Sequence, residues 1–247
     1  MMRWSALTKT FTGGSNNMPE VSVVIPTYNS AHYLKAAIES VLSQTFADFE
    51  LIVVDDGSTD DTAALVRAYN DPRIRYTHQM NAGVALARNK GIAESRGRWV
   101  AFLDADDLWH PEKLARQMAW LQERPDIDLC FTRFKNFWMP ELAEEQRRYE
   151  GHALSQPQSA CSISTLMARR AVFEQFGDFH DGTRSLKNMT WFLRAVGRGA
   201  VIEVLADILM YRRFNLESFT RGGRARFFDN FLPILKEWDY QRGRANG

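Results

Sequence analysis

Short, mostly apolar runs rich in β-branched residues alternate along this chain with segments whose apolar positions recur every three or four residues. Val21-Ser22-Val23-Val24-Ile25, residues 49 to 54, residues 74 to 77 and Trp99-Val100-Ala101-Phe102-Leu103 are the runs. Those before Asp55 and Asp104 are apolar enough to be strands buried on both faces. Between the runs, Leu34, Ile38, Val41 and Leu42 share one side of a predicted helix. A second helix is predicted to end near Tyr69, and a third spans residues 84 to 95. Alternation of this kind predicts a mostly parallel α/β sheet with helices on both faces.

Local punctuation sharpens these bounds. Pro26 lacks an N–H and is expected to stop the first strand, with Asn29 or Ser30 capping the helix that follows. Ser58 and Asp61 form a pair resembling a capping box for the second helix, which Asp71-Pro72 ends. Asn81-Ala82-Gly83 reads as a turn, and Gly97 reverses the chain into the Trp99 strand.

The second half is patterned less regularly. Pro111 opens a predicted helix to residue 124 with Leu114, Met118 and Leu121 on one side, and residues 127 to 134 form a strand. Phe137-Trp138-Met139-Pro140 and the charged run 141 to 150 suit a surface excursion or lid. A strand over 162 to 167, a short helix ending at Gly177, a helix over 188 to 196 and strands over 201 to 205 and 208 to 213 follow. Residues 1 to 19 read as a flexible lead-in containing Gly13-Gly14-Ser15-Asn16-Asn17. Residues 221 to 247 read as an amphipathic helix with Phe227, Phe228, Phe231, Leu232, Leu235 and Trp238 on one face. That face suits docking onto the domain, a contact between copies, or peripheral attachment to a membrane surface.

Composition narrows the class without naming a partner. In 247 residues the net charge is +1 and 45% are hydrophobic, which excludes a disordered chain and leaves no electrostatic footprint for nucleic acid. No apolar run approaches a membrane span, and no leader with a hydrophobic centre opens the chain. Cys130 and Cys161 have no metal or redox spacing and read as reduced thiols of a cytoplasmic protein. Asn188-Met189-Thr190 is then a chance match to the N-glycosylation pattern.

The chemistry gathers where strands end. Asp55 and Asp56 follow one strand, and Asp104, Asp106 and Asp107 follow another. Parallel sheets bind ligands at those carboxyl ends. Carboxylates so close repel and raise one another's pKa, so a hard divalent cation with a phosphate-bearing ligand is their natural partner. The alternative is an acidic turn capping the helix near Pro111. Arg88, early in the third helix, is placed to offset the carboxylates or hydrogen-bond a base or phosphate; a solvated helix arginine is its alternative. No Gly-x-Gly-x-x-Gly follows the first strand, which excludes the usual dinucleotide fingerprint.

Val23-Val24-Ile25-Pro26-Thr27-Tyr28-Asn29, Val53-Val54-Asp55-Asp56-Gly57-Ser58, Asn81-Ala82-Gly83, Ala87-Arg88-Asn89 and Phe102-Leu103-Asp104-Ala105-Asp106-Asp107 stand in an order that resembles the family 2 inverting glycosyltransferases of GT-A fold. Phe176-Gly177-Asp178-Phe179, Trp191-Phe192-Leu193-Arg194 and Tyr211-Arg212-Arg213 match more loosely. The resemblance implies a GT-A domain over 20 to 220, with a nucleotide-sugar half to residue 125 and an acceptor half beyond it. It implies a nucleotide-sugar donor, most often a UDP-sugar, and an acceptor that is a glycan, lipid-linked sugar or peptide. Pro26, Thr27 and Tyr28 would line the nucleoside pocket beside Asp56, Gly83 and Ala105, and Asp55 would meet the base. Arg88 would reach base or phosphate, Asp104 would lie near the ribose, and Asp106 would ligate Mg²⁺ or Mn²⁺ on the diphosphate.

An inverting transfer needs a base for the acceptor hydroxyl. Family members carry a carboxylate pair just before their Trp-x-x-Arg stretch, whereas this chain reads Lys187-Asn188-Met189-Thr190-Trp191. Neither Asn188 nor Thr190 is a base at neutral pH. A histidine usual after the Tyr-Arg strand is also replaced, with Asn215 in its neighbourhood. Three readings follow: Asp181 or Asp178 is a displaced base, with His180 a further candidate; the acceptor needs little base, as a thiol would; or the chain is a catalytically impaired homologue acting as a nucleotide-sugar-binding or partner protein.

Overall fold

The β-branched runs form strands because the sheet they build is covered on both faces, so every residue of 21–27, 49–55 and 99–102 is buried, while the run at 74–78, on the sheet's edge, is only partly buried. The computed structural model describes residues 18–159, 162–179 and 187–215, the last with side chains from Thr190 onward. The lead-in before residue 18, Cys161, His180, Asp181 and the C-terminal helix lie outside the described residues. In chain order the elements are β1 (Val21–Thr27), α1 (Ala31–Leu42), β2 (Phe49–Asp55), α2 (Thr62–Arg67), β3 (Ile74–His78), α3 (Val84–Glu94), β4 (Trp99–Phe102) and β5 (Leu108–Trp109). Then come α4 (Lys113–Glu123), β6 (Leu129–Trp138), α5 (Ala143–Arg148), β7 (Met167–Arg169), α6 (Ala171–Phe176), α7 (Lys187–Gly197) and β8 (Ile202–Phe214).

One eight-stranded sheet has the order β3-β2-β1-β4-β7-β6-β8-β5. Strands β3, β2, β1 and β4 are parallel, and β7 and β5 run against the rest. The mostly parallel α/β architecture expected from the pattern is the one observed. Alternate residues of β1 divide the core: Val21, Val23 and Ile25 pack with α1 and α4, while Val24 packs with Ala85 and Ala87 of α3. Gly91 permits the close approach of α3 to β1, since a Cβ there would lie 2.3 Å from Val24 Cγ1.

Several elements differ from the sequence expectation. Pro26 does not stop β1, which pairs with β2 through Thr27↔Asp55. Val24 C=O accepts from Leu103 N–H on the β4 side, and Thr27 C=O from Asp56 N–H on the β2 side. By that alternation Pro26 turns its missing N–H toward β4, whose pairing has already ended at Val24↔Phe102. Phe137 and Trp138 are strand, not excursion: they pair with Arg213 and Phe214, and Trp138 stacks on Phe214 at 5.1 Å. The two strands expected after residue 200 are one, β8, with register shifts opposite Arg133. Residues 163 to 165 form a 3₁₀ turn before β7.

The caps also differ. Neither Ser30 nor Asp61 makes a side-chain cap. Asp60 serves both helices, accepting from Ala31 N–H of α1 at 3.0 Å and Thr62 N–H of α2 at 3.1 Å. Asn29, at φ 47°, accepts from Thr59 N–H while its own N–H donates to Ser58 Oγ. The β1–α1 and β2–α2 loops are thereby laced together.

The apolar face of α4 carries an unexpected cation. Lys113 is fully buried, its ammonium 2.7 Å from Gln117 Oε1 and 4.0 Å from the centre of the Trp109 ring. Burial pulls its pKa down to about 7, and burial pushes the Cys130 thiol up to about 12. Between pH 7 and 9 the unfolded chain holds a proton that folded Lys113 has released, so stability should rise with pH in that window by up to about 1.4 kcal/mol per unit. Above pH 9 ionisation of the unfolded Cys130 thiol opposes the rise. Lys113→Met should remove the slope and stabilise the protein at pH 7 by about 1 to 3 kcal/mol, read from urea unfolding across pH; an unchanged slope refutes the assignment.

Candidate active site

Asp104 to Asp107 form a tight turn directly after β4, closed by Asp107 N–H donating to Asp104 C=O at 3.0 Å. The three carboxylates take different directions. Asp104 is about one-third exposed, and its Oδ1 accepts from Arg88 Nη2 at 2.6 Å. Arg88 itself is buried on α3. The arginine therefore offsets the carboxylates, as one reading of its position expected.

Asp106 is half-buried. Burial and then the charge of Asp104 push its carboxyl up to about 6, against the opposing pull of Arg213 and a hydrogen bond from Asn215. Asn215 thus reaches the acidic turn. Asp107 points inward: Oδ2 accepts from Ser164 Oγ at 2.9 Å and Oδ1 from Arg213 N–H at 3.1 Å. Burial, reinforced by the charges of Asp106 and Asp104, holds its carboxyl well above the usual carboxylate range. Ala105 is buried under the turn.

Arg213 was legible only as part of a loose motif. Its Nε donates to Asp106 C=O at 2.7 Å, and its guanidinium lies 5.1 Å from the Tyr33 ring centre and 4.8 Å from that of Phe137. A planar cation between two rings fixes β8 against α1, β6 and the acidic turn together. Ser164 carried no signal in the sequence, because a serine in a short 3₁₀ turn has no pattern of its own.

The second acidic pair is hydrogen-bonded within the protein. Asp55 is fully buried; Oδ1 accepts from Ser58 N–H at 2.8 Å and Oδ2 from Tyr76 Oη at 2.6 Å. Burial and that carboxylate push the Tyr76 phenol up to about 12. Asp56, also buried, accepts from Gln79 Nε2, Ala82 N–H and Gly83 N–H at 2.7 to 2.9 Å. It holds the Asn81-Ala82-Gly83 turn, where Gly83 has φ 93° and opens α3 with Arg88 on it. Above these, Tyr28 is exposed, and Thr27 Oγ1 is buried without a hydrogen-bond partner at the end of β1.

The segment after α6 is tied to α3 by Asn89, whose amide donates to Phe179 C=O at 2.7 Å and accepts from Phe179 N–H at 2.9 Å. Asp178 is therefore the neighbour of a residue anchored one position along α3 from Arg88, and Arg194 binds its carbonyl oxygen. Thr190 lies exposed on α7. Among the described residues no three His, Cys, Asp or Glu side chains gather into a metal cage. The donor set at the turn nonetheless fits a cation delivered with a diphosphate, since magnesium-like ions need only one or two protein carboxylates beside phosphate oxygens.

A sheet with an acidic turn at its carboxyl edge is the donor-binding frame of GT-A transferases, and comparison with known proteins agrees. Residues 22–199 match the sequence profile of Glycosyl transferase family 2, and the chain belongs to that family. It is 48% identical over 167 residues to an uncharacterized glycosyltransferase of Rickettsia bellii, covering 63% of this chain and 23% of that protein. It is 43% identical over 102 residues to the Escherichia coli UDP-Glc:alpha-D-GlcNAc-diphosphoundecaprenol beta-1,3-glucosyltransferase WfgD, covering 41% of this chain and 40% of that one. The matches thus span less than half of these relatives' lengths. The structure of S. aureus TarS 1-349 in complex with UDP-GlcNAc shares the fold, with TM-score 0.68, 24% identity, and coverage of 83% of this chain and 61% of that one.

Asp56→Ala should strip three donors of their acceptor and cost about 3 kcal/mol in urea unfolding. Hydrogen exchange at the Ala82 and Gly83 amides should accelerate beyond the global effect. Unchanged exchange there would show that the turn does not hang on Asp56.

Proposed function

We propose that this chain transfers a sugar from a UDP-sugar to an acceptor hydroxyl with inversion at the anomeric carbon. The observation that carries the reading is the convergence of the Arg88–Asp104 pair, Asp106 and the unpartnered Thr27 hydroxyl at the carboxyl ends of β1 and β4. Pro26, Thr27 and Tyr28 line the nucleoside side, with Asp56, Gly83 and Ala105 shaping its floor. Asp55 uses one lone pair on each oxygen for Ser58 and Tyr76 and keeps others for a base N–H. Asp104 faces the ribose, and Arg88 supports it or meets the phosphate.

Bound Mg²⁺ or Mn²⁺ would be held by Asp106 and would supply charge stabilisation to the departing diphosphate. The residues themselves orient the donor and shield it, and Arg213 keeps the turn in place. On the acceptor side, Asp178 is the described carboxylate among the base candidates; Asp181 is the other. The E. coli relative acts on a diphosphoundecaprenol-linked sugar, which makes a lipid-linked sugar the first acceptor to test, in the cytoplasm, where the buried Cys130 thiol stays reduced.

Calorimetric titration with UDP, with and without Mn²⁺, tests the donor site. Metal-dependent affinity should appear in the wild type, vanish in Asp106→Asn, and weaken by about tenfold per pH unit below 6 as Asp106 takes up its proton. Absence of a metal effect overturns the reading. Metal-dependent binding without turnover on any acceptor, and without change in Asp178→Asn or Asp181→Asn, would instead establish the impaired homologue.

A further inference from the structure

Two acidic side chains face the donor, yet the turn that presents them carries no regular secondary structure and packs like charges together. Something must hold its shape. Ser164, in the 3₁₀ turn before β7, is fully buried directly behind it. Its hydroxyl oxygen accepts from Asp104 N–H at 3.1 Å, and its proton goes to Asp107 Oδ2 at 2.9 Å. One side-chain atom therefore grips both the first and the last residue of the turn. Its own carbonyl is fixed in turn by Trp109 Nε1 at 2.8 Å. On the far side of Asp107, Oδ1 receives the N–H of Arg213, whose Nε holds Asp106 C=O.

We propose that Ser164 and Asp107 are positioning residues for the donor diphosphate: they set the spacing of Asp104 and Asp106 without touching the ligand. The proposal rests on the nucleotide-sugar reading above and extends it to residues outside the donor-facing set. The geometry excludes Asp107 as a ligand itself, since both of its oxygens are turned into the protein and engaged there. It also explains why a third carboxylate is tolerated beside two others. Asp107 is the acceptor that Ser164 and Arg213 share, and a neutral residue of its size would offer only one carbonyl oxygen to two donors.

Loss of the Ser164 hydroxyl leaves Asp104 N–H and Asp107 Oδ2 each short of a partner, and frees the turn to relax. The consequence should fall on the diphosphate end of the pocket and spare the nucleoside end, which hangs on β1, β2 and α3. The measurement is the metal coupling factor, the ratio of UDP dissociation constants without and with saturating Mn²⁺, obtained by calorimetry on the full chain. In Ser164→Ala the factor should fall about tenfold, as losses of supporting groups behind a ligand commonly do, while metal-free UDP affinity stays within about twofold of wild type.

A residue that merely stabilised the fold would move both affinities alike or neither, so an unchanged factor overturns the proposal. If Ser164→Ala does not fold, judged by circular dichroism, Ser164→Cys takes its place. The thiol keeps a polar hydrogen on a slightly larger atom and bonds weakly, and the same selective loss is expected. A wild type with no manganese effect overturns the donor-site reading and this inference together. A coupled wild type with an equally coupled variant overturns only the inference.

Discussion

Holding carboxylates close together at a strand end is the constraint on which this molecule turns. Asp104 and Asp106 repel each other, and only the surrounding groups make their proximity affordable: Arg88 against Asp104, Arg213 and Asn215 against Asp106. The compensating groups come from two distant elements, α3 for Arg88 and β8 with its following residue for Arg213 and Asn215. Neutralising the turn therefore requires that both ends of the sheet be assembled. The site is a product of the tertiary fold and not of the motif alone.

The two halves of the chain are coupled through the same region. Asn89, next to Arg88, makes a reciprocal pair of hydrogen bonds with the Phe179 backbone. Phe179 packs edge-on to Phe102 at the end of β4 and against Trp191 of α7. A rigid aromatic cluster therefore runs from the strand that bears the acidic turn to the helix that opens near the expected base position. Interdigitated rings cannot shift independently at interior packing density. Any group that α7 or the Asp178 turn presents is thus indexed to the acidic turn.

Much of the first half of the chain was legible because its signals are local. A β-branched run ending in Asp55-Asp56-Gly57 announces a buried strand and its ligand-facing end within a few residues, and the same holds for residues 99 to 107. Pro26 misled because whether a missing N–H matters depends on which neighbour strand has ended, a fact of sheet register and not of sequence. Asp60 was passed over in favour of Ser58 and Asp61 for a similar reason: it caps a helix thirty positions away as well as its own. Lys113 gave no sign of burial in the sequence, because a lysine's charge outweighs its four-carbon stem in any pattern, although its ammonium lies over the Trp109 ring.

The second half of the chain was harder to read, and physics accounts for the difference. A diphosphate with its cation demands fixed charges at short range, which leaves a compact acidic signature whatever sugar is carried. Asp107 shows the limit of that signature: it belongs to the acidic run by sequence, yet its oxygens face Ser164 and the Arg213 backbone. Counting acids locates the turn, but only the hydrogen-bond directions divide Asp104 and Asp106 from the inward-turned Asp107. An acceptor hydroxyl asks for a single base within hydrogen-bond reach, and any loop that approaches the anomeric carbon can deliver it. The absence of a carboxylate at Asn188 therefore constrains the route of the proton far more than it constrains the donor.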